Sequence, residues 1–168
     1  MGQPEPPVTT TGSSYFDALL VRIESDAAAR EKIASSWLWS AEVPGTVRAQ
    51  GVREACREYL LRYAEPDDHA LANAELIVAE LVANVERHAQ GTASFHLDWN
   101  DRNPRLLVLD RGPGFSTEPK TSLDDPYAES GRGLAIVAFL AVEHKFGNRI
   151  DGGAYVCVVL PVERAHRE

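Results

Sequence analysis

Residues 106–115 read Leu-Leu-Val-Leu-Asp-Arg-Gly-Pro-Gly-Phe, an apolar run that breaks off at Asp110 and continues into glycines at positions 112 and 114. A short, continuously apolar run bounded by turn residues predicts a buried strand over Leu106–Leu109. Glycine allows a close backbone approach that a side chain forbids, and a carboxylate beside it accepts a hydrogen bond from an amino group such as that of a purine. Alone, the segment reads about equally well as a strand ending in an ordinary β-turn, since Gly-Pro-Gly is common turn chemistry. Its neighbours in the chain separate the two readings.

Upstream, residues 67–89 predict a helix that opens at Asp67 and Asp68, both suited to N-capping, and closes before Gly91. Leu71, Ala74, Val78, Val82 and Val85 take one side of it, and Glu80, Asn84 and His88, at i, i+4 and i+8, take the other. A carboxylate in that row can take a proton from an attacking hydroxyl. An amide oxygen one turn on suits Mg²⁺, a hard cation completed by water and phosphate, and Arg87 adds a cation for a phosphate. The competing reading is a solvated stripe on an amphipathic helix, favoured about two to one for the triplet taken alone.

Downstream, Gly131-Arg132-Gly133-Leu134 opens the apolar run Ala135-Ile136-Val137-Ala138-Phe139-Leu140-Ala141-Val142. A helix starting here presents free backbone N–H groups and its positive dipole end to an anion, with Arg132 beside them. The pattern is neither a P-loop nor a dinucleotide fingerprint.

Around this centre the other elements follow from periodicity. Val47, Val52, Ala55, Cys56, Tyr59, Leu60 and Tyr63 predict an amphipathic helix between Pro44 and Pro66, with a strand before it in the stretch SSWLWSAEVPG. Residues 92–98 alternate as a strand pairing with 106–109. Two more strands, 145–150 and 154–160, join as a hairpin at Asp151-Gly152. The expected fold is an α/β two-layer sandwich, a mixed, mostly antiparallel sheet with helices packed on one face. Residues 1–14, rich in Pro, Thr, Ser and Gly, predict a disordered tail. Phe16, Leu19, Leu20, Ile23, Ala27 and Ala34 fall near helical spacing and predict an additional helix within 15–38. The main domain is expected over 39–161, with 162–168 as a tail.

At 168 residues and 44% hydrophobic composition, one domain with its own core is expected. No run of eighteen apolar residues and no signal peptide is present, so a cytoplasmic location is expected. Cys56 and Cys157 have no partners at metal-ligand spacing and read as buried thiols. The net charge of −8, with scattered basic residues, disfavours nucleic acid and favours a protein partner.

Glu80-x-x-x-Asn84, Asp110-x-Gly112-x-Gly114 and Gly131-x-Gly133 occur in that order, with 26 residues from Asn84 to Asp110 and 21 from Asp110 to Gly131. This ordered set resembles the N-box and two glycine boxes of the GHKL (Bergerat-fold) ATPase superfamily, over roughly Trp39 to Pro161. The runs ELVANVERHA, DRGPGF and ESGRGLAIV look most like its small bacterial branch of anti-sigma factors and serine-protein kinases. The resemblance implies ATP and Mg²⁺ as ligands, Glu80 as catalytic base, Asn84 as metal ligand and Asp110 as adenine reader. It implies backbone contacts from Gly112, Gly114, Gly131, Gly133 and Leu134, and phosphate or pocket contacts from Arg87, His88 and Arg132. It also implies an anti-anti-sigma (STAS-type) protein and a sigma factor as partners, with homodimerisation and no membrane.

Two departures stand out. Ala154 follows Gly152-Gly153 where relatives often carry a threonine, and the expected lid, Ser116–Ser130, holds Glu118, Asp124, Asp125 and Glu129 against Lys120. These favour, as the alternative, a regulator that binds ATP without transferring phosphate. A histidine-kinase-type catalytic domain is the third reading. It is disfavoured because such kinases carry a phosphoacceptor histidine upstream, whereas His69 is the first histidine here.

Overall fold

The computed structural model describes residues 38–43, 46–88, 91–98, 102–123 and 131–165. The expectations for a tail over 1–14, for a helix within 15–37 and for the lid from Asp124 to Ser130 lie outside the described residues.

The described elements are β1 (Leu38–Val43), α1 (Thr46–Tyr63), α2 (Asp68–His88), β2 (Gly91–Asp98), β3 (Arg105–Leu109), α3 (Arg132–Leu140), β4 (Glu143–Asn148) and β5 (Ala154–Val159). Five strands form one sheet in the order β1-β2-β3-β5-β4, and every pairing in it is antiparallel. β3 and β4 run in the same direction, as expected of strands linked through a helix, but β5 lies between them. The parallel character of the expected mixed sheet is therefore never expressed as a parallel ladder. The last two strands begin and end two residues and one residue earlier, respectively, than periodicity predicts at their outer ends. Residues 149–153 are taken up by the hairpin turn, at whose tip Ile150 is exposed.

All three described helices share one core with one face of the sheet. Val52, Cys56 and Leu60, one stripe of α1, meet Ala74, Ile77, Val78, Leu81, Val82 and Val85 of α2 and Leu134 and Val137 of α3. Ala93, Phe95, Leu97, Leu106, Val108, Val156 and Val158 supply the sheet side. Burying such apolar area is the main favourable term, roughly 25 cal/mol per Å². α2 starts as read: Asp67 Oδ1 accepts a hydrogen bond from the Ala70 amide at 2.7 Å, capping an otherwise unpaired N–H. Outside the core, Arg57 Nε donates to the Glu75 carboxylate, linking α1 to α2 across an exposed rim. Residues 162–165, in the stretch expected as a tail, are held in place. Val162 is buried, Arg164 pairs with Ala64, and Asn103 Nδ2 donates to the Val162 carbonyl at 2.8 Å. Among the described residues, no helix is long and apolar enough to cross a membrane.

Candidate functional site

Asp110 stands where β3 ends, and its carboxylate is fixed by backbone alone. Oδ1 accepts from the Gly112 amide at 2.8 Å and from the Ala154 amide at 3.2 Å. The first bond closes a tight turn of the kind Asp makes with the residue two positions on. The second ties the turn to β5. The main chain of Asp110 is held as firmly: its N–H donates to the Ala154 carbonyl at 3.0 Å, and its carbonyl accepts from Arg149 Nη1 at 3.0 Å. Arg149 is itself buried, with Nη2 at 3.2 Å from Asp151 Oδ2.

The glycines that follow are clamped from β4. Asn148 accepts from the Phe115 amide at 2.6 Å and donates through Nδ2 to the Phe115 carbonyl at 2.9 Å. Gly114 adopts φ +76°, and a Cβ there would lie 2.7 Å from Asn148 Oδ1, so both conformation and space require glycine. Opposite, Gly153 adopts φ +97° with its missing Cβ only 2.0 Å from the Asp110 carbonyl oxygen. The β4–β5 hairpin thus packs directly on the Asp110 backbone.

α3 begins at Gly131, in the left-handed conformation at φ 88°, with no side chain capping the helix. Its first N–H groups are therefore left for another acceptor. At Gly133 an added Cβ would stand 2.6 Å from Glu80 Oε2 and 3.8 Å from Arg87 Nη2. Absence of that Cβ is what lets the Glu80 carboxylate lie against the first turn of α3.

These pieces surround one cavity of about 350 Å³. Asn84, Arg87 and His88 of α2, Asp110, Gly114, Phe115, the strip from Ser116 to Lys120, Gly131, Gly133, Leu134 and Ala154 line it. Most of the residues singled out from sequence are therefore brought together. Glu80 is half-buried beside this cavity, in contact with Gly133, but does not line it; nor do Gly112, whose amide orients Asp110, and Arg132. A larger hollow of about 600 Å³ lies between α1 and α2, among Arg53, Cys56, Arg57, Glu75 and Leu76, and none of the motif residues lines it. Sequence reading missed Asn148, Arg149 and Gly153. The only signal for them was the Gly152-Gly153 pair, which announced a hairpin but not its packing against a segment some forty residues upstream.

The arrangement suits a nucleoside triphosphate. An acceptor-only carboxylate anchored at one side of the cavity can read an amino group, and an uncapped helix start with Arg87 and Lys120 at the cavity can meet phosphates. The family model of the histidine kinase-like ATPase domain matches residues 42–160. The chain belongs to that family. Among solved structures it is similar to one described as the mycobacterial sensor histidine kinase MprB, at 15% identity and a TM-score of 0.46, covering 76% of this chain and 99% of that one. A comparison with curated proteins finds no match.

Proposed function

We propose that this chain is an ATP-binding anti-sigma factor with serine/threonine-protein kinase activity toward an anti-anti-sigma partner, so that phosphorylation governs the release of a sigma factor. The observation that carries the nucleotide part is the single cavity shared by the doubly anchored Asp110 carboxylate and the uncapped start of α3. Membership of the histidine kinase-like ATPase family supports it, and the short motifs quoted above point to the branch.

In this reading Asp110 accepts from the adenine amino group, the backbone around Gly114, Gly131 and Gly133 lies along the phosphates, and Arg87, His88 and Lys120 offset their charge. Asn84, one turn beyond Glu80 and lining the cavity, offers the amide oxygen for Mg²⁺. Mg²⁺ keeps several waters and takes few protein ligands when phosphates are present, so one amide suffices. Bound together, ATP and Mg²⁺ supply the transferable phosphoryl group and its charge neutralisation. Glu80 accepts the proton of the partner's serine or threonine hydroxyl as its oxygen bonds to the γ-phosphorus; the bond from that phosphorus to the bridging oxygen breaks, and ADP leaves.

One observation favours the second reading, a regulator that uses ATP only to order its binding surface: Glu80 lies against Gly133 rather than lining the cavity. Calorimetric titration with ATP and Mg²⁺, beside Asp110→Asn and Asn84→Ala, tests the pocket. Saturable binding that both variants lose supports it, and binding unchanged in both rejects these assignments. Incubating the protein with radiolabelled ATP and STAS-type partners then separates the readings. A labelled partner, lost in Glu80→Ala while ATP binding persists, is the kinase signature; no label from a protein that binds ATP leaves the regulator.

A further inference from the structure

Among the described residues, every hydrogen bond that orients Asp110 comes from backbone, with one exception. Its N–H donates to the Ala154 carbonyl, and Oδ1 accepts from the amides of Gly112 and Ala154. The exception is Arg149, whose Nη1 meets the Asp110 carbonyl at 3.0 Å. Both bonds to the carboxylate fall on Oδ1, so Oδ2 is left to accept from a ligand in the cavity that Asp110 lines.

The hairpin that carries Arg149 closes through its backbone. β4 and β5 pair from Glu143 and Val159 to Asn148 and Ala154. Within the turn the Arg149 amide donates to the Gly153 carbonyl at 2.9 Å, the Gly152 amide donates to the Arg149 carbonyl at 3.3 Å, and Gly152 and Gly153 supply the left-handed conformations. The guanidinium is nevertheless buried, its side chain 5% exposed, with Asp151, 51% exposed, as its ionic partner. Burying a charge is costly unless pairing and hydrogen bonds offset it. A neutral side chain would meet the needs of this turn without that cost. What the guanidinium adds lies off the hairpin, at the Asp110 carbonyl.

We propose that Arg149 is a positioning residue for base recognition: by holding the Asp110 carbonyl it fixes where the carboxylate stands, and so sets the preference for a purine with a 6-amino group over one with a 6-oxo group. The inference rests on the reading of Asp110 as acceptor for the adenine amino group. A peptide is planar, so holding this carbonyl fixes the direction in which the chain leaves Asp110. That direction brings the Gly112 amide, two residues on, back to Oδ1 at 2.8 Å. Without the guanidinium the peptide between residues 110 and 111 can turn, the Gly112 bond slackens, and the carboxylate keeps only the longer bond from Ala154, at 3.2 Å. An acceptor-only carboxylate attracts a 6-amino group and repels a 6-oxygen. Both effects weaken as it loses its place, whereas Arg87 and Lys120, which line the cavity from other segments, still meet the phosphates.

The test compares ATP with inosine triphosphate, which carries an oxygen where ATP carries the amino group, by direct and competition calorimetry on the full-length chain. The native protein should prefer ATP by about 100-fold, and Asp110→Asn, whose amide can donate to the 6-oxygen, should lose that preference. Binding of neither nucleotide, or a preference retained in Asp110→Asn, overturns the reading of Asp110 and the proposal with it. Where that reading stands, Arg149 is tested alone. Arg149→Met should weaken ATP about tenfold and inosine triphosphate by less than about threefold, narrowing the ratio. A merely structural loss lowers the fraction of protein that binds, read as stoichiometry, and leaves the ratio at its native value. If Arg149→Met does not fold, Arg149→Lys takes its place: it keeps the charge but replaces a two-pronged donor with a single ammonium, and should narrow the ratio about threefold. A native ratio in the folded variant, including equal weakening of both nucleotides, overturns the proposal and leaves the reading of Asp110 intact.

Discussion

Gly133→Ala separates the stability of this fold from the chemistry proposed for it. The new methyl would stand 2.6 Å from Glu80 Oε2, whereas ordinary contact begins near 3.4 Å, so the carboxylate must retreat by about 0.8 Å. Glu80 is the far end of a flexible side chain, and Gly133 has no positive φ, so neither the backbone nor the core needs to move. Replacing a helical glycine by alanine gains up to about 1 kcal/mol, which for a chain of this size raises the melting temperature by roughly 2–4 °C. A misplacement near 1 Å at a reacting group costs on the order of 10²-fold in rate. The variant is therefore expected to melt at or above the native temperature, to bind ATP within about threefold of the native protein, and to lose roughly 10- to 100-fold in phosphoryl transfer. Circular dichroism melting, calorimetry and labelled-ATP assays read the three quantities. In a Glu80→Ala background the substitution should cost nothing further, since the displaced group is gone. Native transfer rates in Gly133→Ala, or an equal loss on top of Glu80→Ala, would refute the role given to Glu80.

Three further outcomes follow from the geometry. Gly153→Ala drives a Cβ to 2.0 Å from the Asp110 carbonyl at a φ of +97°; it should destabilise by more than about 3 kcal/mol in urea unfolding, and a native midpoint would contradict the packing described. Asn148→Ala removes both bonds to Phe115 and should cost about 1–3 kcal/mol and weaken ATP binding, measured by urea titration and calorimetry. Burial, with the Glu75 charge adding to it, pushes the Cys56 thiol up to about 12 from 9.0. The folded state thus holds this proton more tightly, and its contribution is fully present below pH 9 and lost as pH rises through 12. Stability should fall by up to roughly 4 kcal/mol over that window, and the corresponding slope should be absent in Cys56→Ala.

What the sequence made legible is what local rules control. The stripe of Val52, Cys56 and Leu60, the Asp67 cap, the apolar run into Asp110 and the glycine start of α3 each follow from spacing or from one residue's conformational needs, and each is found in place. Strand order was not legible, because nothing local says that β5 inserts between β3 and β4. For the same reason Asn148 and Arg149 went unseen. Their contacts, to Phe115 and to Asp110, span 33 and 39 residues and exist only once the hairpin folds back over the end of β3.

That long-range support changes the meaning of Ala154. In sequence it reads as a missing hydroxyl, a weakness at the base-binding end. In the fold, position 154 serves Asp110 through its main chain, accepting from the Asp110 amide at 3.0 Å and donating to Oδ1 at 3.2 Å, and neither bond depends on the side chain. The carboxylate is therefore oriented as well by alanine as by threonine, and what alanine removes is one hydroxyl at the cavity wall. Ala154→Thr should accordingly leave the Asp110 bonds intact and act on nucleotide affinity alone. If adenine recognition rests on Asp110, that substitution can strengthen ATP binding but cannot replace the carboxylate: Asp110→Asn/Ala154→Thr should bind no better than Asp110→Asn. Calorimetry on the two single variants and the double variant decides it, and recovery of binding in the double variant would place the decisive contact at position 154.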